Sequence, residues 1–217
     1  MSNPCTAVLF DFGGVMSRSL FEQVDEIERS YGLASGALGT WRGPFDPAAD
    51  MVWQDMLDGR ISEREYWYTR CAELGDLTAE TVTVTSLLER LRGDDPDRII
   101  RSSINTLIHG AKAAGRKIGL LTNELELFHG AGITEALSIL RLFDGIVDAS
   151  KTGVLKPDPV AYRQALDAVG ATASETVFVD DQIKNIDGGR AAGLQTVHFD
   201  ILNPAASVAE TTRLLGV

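Results

Sequence analysis

The sequence predicts an α/β fold, a doubly wound parallel sheet with an inserted α-helical segment, and three observations predict it. Five short apolar runs, Ala7–Phe10, Lys117–Leu121, Gly145–Val147, Thr176–Val179 and Thr196–Phe199, have the length and near-continuous apolar character of strands covered on both faces. Helical segments separate the later runs, as right-handed crossovers between parallel strands require. Between about Ser17 and Asp95 that alternation stops, and no convincing strand is present.

The elements follow in chain order. After the first strand, Ser19-x-x-Glu22 and Ser62-x-x-Glu65 have capping-box spacing, and Asp46-Pro47 reads as a cap followed by a first-turn proline. They predict helices over Leu20–Tyr31, Pro47–Leu57, Glu63–Leu74 and Thr81–Arg92. Gly93-Asp94-Asp95-Pro96 reads as a return hinge, so residues 17–95 form a helical cap domain and residues 1–16 with 96–217 form the core domain. In the core, a helix precedes Lys117, and further helices are expected over Ile133–Arg141, Pro159–Val169 and Ile186–Ala192, with Asp158-Pro159 as another cap and proline.

Composition narrows the function classes. Net charge is −11, from 20 basic and 31 acidic residues, which makes a general nucleic-acid or anionic-membrane binder a poor expectation. An anionic substrate then needs a local positive site. Cys5 and Cys71 form no C-x-x-C, which argues against a disulfide framework or zinc site. No run reaches membrane-spanning length, and the first apolar run ends in Asp11 without a basic region before it, so no signal peptide is read and a cytoplasmic location is expected.

Four short segments carry the chemistry. Val8-Leu9-Phe10-Asp11 is an apolar strand that ends in a carboxylate and is followed by Phe12-Gly13-Gly14; Val177-Phe178-Val179-Asp180-Asp181 repeats the device near the C-terminus. A buried parallel strand delivers such an acid to the mouth of the sheet, and glycines let backbone N–H groups approach a ligand. Between them lie Leu120-Leu121-Thr122-Asn123 and Leu155-Lys156-Pro157. Taken singly, Thr122-Asn123 is turn chemistry, Lys156 a solvated lysine and Asp180-Asp181 a decorated helix start.

Taken in this order, the four segments resemble the haloacid dehalogenase-like hydrolase superfamily, whose members are mostly Mg²⁺-dependent phosphatases. The resemblance runs from Thr6 to about Phe199 and covers the subgroup with a helical cap on a Rossmann-like core. It implies Asp11 as nucleophile, forming an aspartyl-phosphate. It also implies Mg²⁺ held by Asp11, the Gly13 carbonyl and Asp180, with Asp181 on the ion or its waters. Gly14, Thr122, Asn123 and Lys156 would hold phosphate oxygens, Lys156 also balancing the carboxylates. Asn185 is either part of the polar network or a helix cap. Trp41 and Arg42, in the loop Trp41-Arg42-Gly43-Pro44-Phe45, are candidates for substrate contact, whereas the other cap aromatics should pack the cap.

One position departs from the pattern. Most such phosphatases carry a second aspartate where this chain has Gly13. General acid–base help is worth ~10²–10⁴ in rate. Members resembling glucose-1-phosphate phosphatases have glycine here and remain phosphatases. The acid pair Asp180-Asp181 argues against dehalogenase chemistry, and the lack of any lysine in the expected cap argues against a Schiff-base phosphonatase. The sequence therefore points to a Mg²⁺-dependent phosphatase acting on a small phosphorylated metabolite, with sugar phosphates first in view. A phospholigand-binding domain without turnover is the alternative that Gly13 leaves open.

Overall fold

The computed structural model describes residues 3–217. The chain divides into two compact units, one holding the chain up to Ser19 and from Pro96 onward, the other Leu20–Asp95. The first unit is built on five parallel strands: β1 (Ala7–Phe10), β2 (Lys117–Thr122), β3 (Gly145–Asp148), β4 (Thr176–Asp180) and β5 (Gln195–His198). Their order is β3-β2-β1-β4-β5. All five fall on the expected apolar runs. β2, β3 and β4 each run one residue further, to Thr122, Asp148 and Asp180, so polar residues close those strands.

The helices in chain order are α1 (Val24–Ser30), α2 (Met51–Leu57), α3 (Glu63–Thr78), α4 (Val84–Arg92), α5 (Ser102–Ala113), α6 (Leu125–His129), α7 (Ile133–Ala136), α8 (Ala149–Thr152), α9 (Pro159–Val169), α10 (Ile183–Ala191) and α11 (Pro204–Leu215). Alternate strand residues point to opposite faces of a sheet. Val8, Phe10, Ile118, Leu120, Val177 and Val179 accordingly pack with Ile104 and Ile108 of α5 and Leu215 of α11. Leu9, Leu121 and Phe178 pack with Tyr162 and Val169 of α9 and Ile186 of α10. Both faces are thus covered, and the sheet is doubly wound.

Several expected elements differ. The helix expected over Ile133–Arg141 breaks at Leu137, which is extended (φ −74°, ψ 110°), and resumes as a 3₁₀ turn. Leu137 is fully buried, and the Ser138 N–H goes to Asp97 Oδ1 at 2.9 Å, so packing and that bond outweigh helix continuity. The last helix before β5 begins at Ile183, not Ile186. α11 has no counterpart among the expected segments.

The Leu20–Asp95 unit is helical. Its expected first helix is a 3₁₀ turn, Leu20–Gln23, leading into α1. The Ser62–Glu65 capping box forms and starts α3, which runs past Leu74 to Thr78 and stops at Ala79 in the left-handed region. Thr83 caps α4 with Ser86 in the reciprocal role, which moves that helix start from Thr81 to Val84. Asp46 makes no side-chain cap bond; Asp50 does, accepting the Trp53 N–H at 2.8 Å.

Candidate active site

The site lies where the strand order reverses. From the central β1 the chain builds β2 and β3 on one side, and β4 and β5 on the other. Such a switch point opens a crevice beyond the C-terminal strand ends. Phe10 pairs with Val179, and the Asp11 N–H donates to the Val179 carbonyl at 2.9 Å. Asp11 therefore leaves β1 beside Asp180, the last residue of β4. Lys156, in the segment between α8 and α9, places Nζ 2.8 Å from Asp11 Oδ1 and 2.7 Å from Asp180 Oδ2. Carboxylate oxygens of Asp11, Asp180 and Asp181 all lie within 4.8 Å of one another.

The charges do not balance locally. One ammonium faces two nearly dry carboxylates, with a third close by. Burial pushes the Asp11 carboxyl up; Lys156 pulls it down less than burial raises it, and Asp180 adds to the rise, leaving it at about 7. Burial disfavours the Lys156 ammonium, but Asp11 and Asp180 outweigh that and hold it above its ordinary range. This is an excess of buried negative charge, the electrostatic setting that favours a further cation.

Local backbone explains how the residues are aimed. After Asp11 the chain makes one wide turn, Phe12–Met16, in which Gly13 and Gly14 leave the helical region. Gly14 has φ +75°, and a Cβ there would run into the Asp181 carboxylate, so only glycine fits. Gly13 is different: its φ of −67° suits any residue, a Cβ there meets nothing within 4 Å, and it is exposed where Gly14 is buried.

Thr122 is buried at the end of β2. The Asn123 side chain clamps the Lys156 backbone, its Oδ1 accepting the Lys156 N–H at 2.8 Å and its Nδ2 donating to the Lys156 carbonyl at 3.3 Å. That amide helps to place Lys156, which leaves the Asn123 backbone as the group to face a ligand. The Lys156-Pro157 bond is cis.

Asn185 sits inside α10, which excludes the cap reading. Its Nδ2 donates to Asp180 Oδ1 and Oδ2 at 3.1 and 3.2 Å. Its own Oδ1 is buried without a hydrogen-bond partner, and its carbonyl accepts from the Tyr162 hydroxyl at 2.7 Å. Asp180 also accepts the Gln182 N–H at 2.8 Å. The clustered carboxylate oxygens of Asp11, Asp180 and Asp181 form a hard donor set, which fits Mg²⁺ and not a thiophilic metal.

Trp41 and Arg42 belong to the helical unit. Trp41 is buried there, its Nε1–H donating to Glu73 Oε2 at 3.2 Å and its ring 6.4 Å from that of Trp67, so it packs the unit and offers no free surface to a substrate. Arg42 is exposed, with Nε–H on the Gly39 carbonyl at 2.8 Å. Sequence reasoning missed His198, whose Nε2 lies 2.9 Å from the Asp181 carbonyl, and Arg101, which bonds the Gly14 carbonyl. Neither lies in a motif; His198 is brought in by β5, which pairs with β4, and Arg101 by the segment just ahead of α5.

The haloacid dehalogenase-like hydrolase family model matches residues 5–193. Phosphatase MT3486 of Mycobacterium tuberculosis (strain CDC 1551 / Oshkosh) is 30% identical over 90 residues, 42% of this chain and 42% of that protein, so the matched region is less than half its length. Phosphoglycolate phosphatase of Rhodospirillum rubrum is 26% identical over 88% of this chain and 78% of its own. Among solved structures, the HAD-hydrolase YfnB from Bacillus subtilis, bound to magnesium, superposes with a TM-score of 0.69 at 16% identity, covering 99% of this chain and 100% of that one. At that identity the likeness speaks for the fold.

Proposed function

Because the chain belongs to the haloacid dehalogenase-like hydrolase family, we propose that it is a Mg²⁺-dependent phosphatase acting on a small phosphorylated metabolite through an aspartyl-phosphate. The observation that carries this reading is the Asp11–Lys156–Asp180 cluster at the switch point, with Lys156 Nζ at 2.8 and 2.7 Å from the two acids and Asp181 close by. Relatives named as phosphatases support the reaction class.

Asp11 is the nucleophile. Its carboxylate oxygen attacks phosphorus, and the bond to the ester oxygen breaks, that oxygen leaving with the electron pair and taking a proton from solvent; water then attacks the phosphorus of the aspartyl-phosphate, the bond to Asp11 breaks, and inorganic phosphate and the free carboxylate are released. Asp11, Asp180, Asp181 and the Gly13 carbonyl would hold Mg²⁺. When bound, the ion supplies charge neutralisation between carboxylate and phosphate and orients the phosphoryl group. Gly14, Thr122 and the Asn123 backbone hold phosphate oxygens, and Lys156 steadies both acids. Asn185 and Gln182 fix the Asp180 carboxylate so that its oxygens are aimed before substrate arrives.

The test is turnover of p-nitrophenyl phosphate by the full chain, with Mg²⁺ and with EDTA, followed by phosphate release from a panel of phosphorylated metabolites. Mg²⁺-dependent turnover supports the reading. Binding of phosphate esters without turnover in Mg²⁺ would replace it with the non-catalytic alternative.

A further inference from the structure

We propose that Arg101 is a positioning residue for phosphoryl transfer, fixing the loop that carries Asp11 to the strand end that carries Asp180. The inference rests on the phosphatase reading above.

Arg101 lies just ahead of α5, far from every motif in sequence, yet is only 8% exposed. Its guanidinium donates twice to one acceptor, the Gly14 carbonyl, from Nη2 at 2.9 Å and Nε at 3.3 Å. The Arg101 backbone N–H donates to the Met16 carbonyl at 2.8 Å, and Ser17 pairs antiparallel with Ile100. The segment ending at Arg101 is therefore tied to the second half of the Phe12–Met16 turn and to the residues that follow it. The guanidinium carbon lies over the Phe199 ring, 5.3 Å from its centroid. The Phe199 N–H in turn donates to the Asp180 carbonyl at 2.8 Å.

One rigid fork thus joins the two halves of the site. On one side it holds Gly14, where an added Cβ would collide with the Asp181 carboxylate and which stands three residues after Asp11. On the other it leans on the residue bonded to Asp180. Burying a guanidinium is costly, and a planar group whose two donors converge on one carbonyl oxygen holds that carbonyl in one orientation. A neutral or flexible substitute would let the turn shift by up to about 1 Å. Displacements near 1 Å cost ~10²-fold in rate when the attacking group must lie in line with its target.

The experiment compares wild type with Arg101→Lys, Arg101→Gln and Arg101→Ala in the full chain, using p-nitrophenyl phosphate and saturating Mg²⁺. Thermal unfolding is followed in parallel. The expected result is a kcat ~10² lower in Arg101→Gln with KM within about threefold. Arg101→Lys should be intermediate, and millimolar guanidinium ion should partly restore Arg101→Ala but not change wild type. Unchanged kcat in all three variants overturns the inference alone. So does an equal loss in Lys and Gln that tracks a falling melting temperature without guanidinium rescue, since a merely structural arginine behaves that way. Wild type without Mg²⁺-dependent turnover overturns the phosphatase reading and this inference with it.

Discussion

Each unit of the chain buries a cluster of charge, and the two clusters are built to opposite ends. In the helical unit, Asp50 is fully buried and accepts from five donors: the N–H groups of Arg42, Gly43 and Trp53 at 3.2, 2.9 and 2.8 Å, the Tyr66 hydroxyl at 2.8 Å, and Arg70. Arg70 is itself completed by Glu73 at 2.6 Å and the Thr40 carbonyl at 3.1 Å. Burial alone would raise the Asp50 carboxyl, but these donors reverse the sign and hold it below its usual range. In the α/β unit, Asp11 has Lys156 and a backbone hydrogen bond from Phe12, shares that lysine with Asp180, and is driven up to about 7. A carboxylate whose lone pairs are all answered holds structure; one left under-answered is held ready for a ligand.

The largest effect expected from breaking this contrast is at Asp11. Asp11→Asn should lower p-nitrophenyl phosphate turnover by ~10⁴ or more, because an amide cannot attack phosphorus. It should not lower the melting temperature of metal-free protein, because it removes a poorly compensated charge. Asp50→Ala should behave oppositely. It removes one of the two carboxylates on Arg70 and takes the acceptor from the Gly43 and Trp53 N–H groups and the Tyr66 hydroxyl; breaking a buried pair in this way costs about 3–5 kcal/mol, which urea unfolding followed by circular dichroism should read as loss of helical signal at lower denaturant. If Asp50→Ala unfolds like wild type, the helical cluster is not the structural hub described.

A third variant sharpens the contrast by adding charge to the under-answered side. Gly13→Asp fits sterically, since a Cβ there meets nothing within 4 Å. With Mg²⁺ it should raise single-turnover rates on alkyl phosphates by up to ~10²–10⁴ and help p-nitrophenyl phosphate less, because an alkoxide needs a proton and a nitrophenolate does not. Asparagine at the same position should not reproduce the gain. Equal effects on both substrates would mean that proton supply is not what glycine withholds.

The smallest effect is in pH dependence. For Asp11 the folded-state pKa exceeds the unfolded one, so between about 4 and 7 the folded protein holds more protons, and metal-free stability should fall as pH rises across that window. For Asp50 the folded pKa is depressed, so its stabilisation is present above the unfolded value and lost as pH falls through the folded one. Asp11→Asn should remove the first slope and leave the second. Chemical denaturation of metal-free protein at several pH values measures both.

The sheet was the part most open to sequence reading, because its strands are buried on both faces and so appear as unbroken apolar runs. The positions of Asp11, Lys156 and Asp180 at run ends or before a proline were also legible, but their gathering into one site was implied only by the family resemblance, since Lys156 alone reads as a solvated lysine and Asp180-Asp181 as a helix start. What stayed hidden was set by tertiary partners. Leu137 breaks a helix because the core takes its side chain. Asp50 outcompetes Asp46 as a cap because Arg70 and Tyr66, 20 and 16 residues away, converge on it. Asn123 spends its amide on Lys156, 33 residues distant. Trp41, in a loop that reads as a substrate contact, is taken up by packing within its own unit.

The claim that the α/β cluster awaits a cation while the helical cluster is complete is tested most directly by thermal unfolding of wild type, Asp11→Asn and Asp50→Asn, each with EDTA and with Mg²⁺. At Mg²⁺ about 100-fold above its Kd, wild type should gain roughly 5–10 °C. Asp50→Asn should start lower and gain the same increment, whereas Asp11→Asn should start no lower than wild type and gain little. A wild type indifferent to Mg²⁺, or a gain that survives in Asp11→Asn and vanishes in Asp50→Asn, would contradict the account.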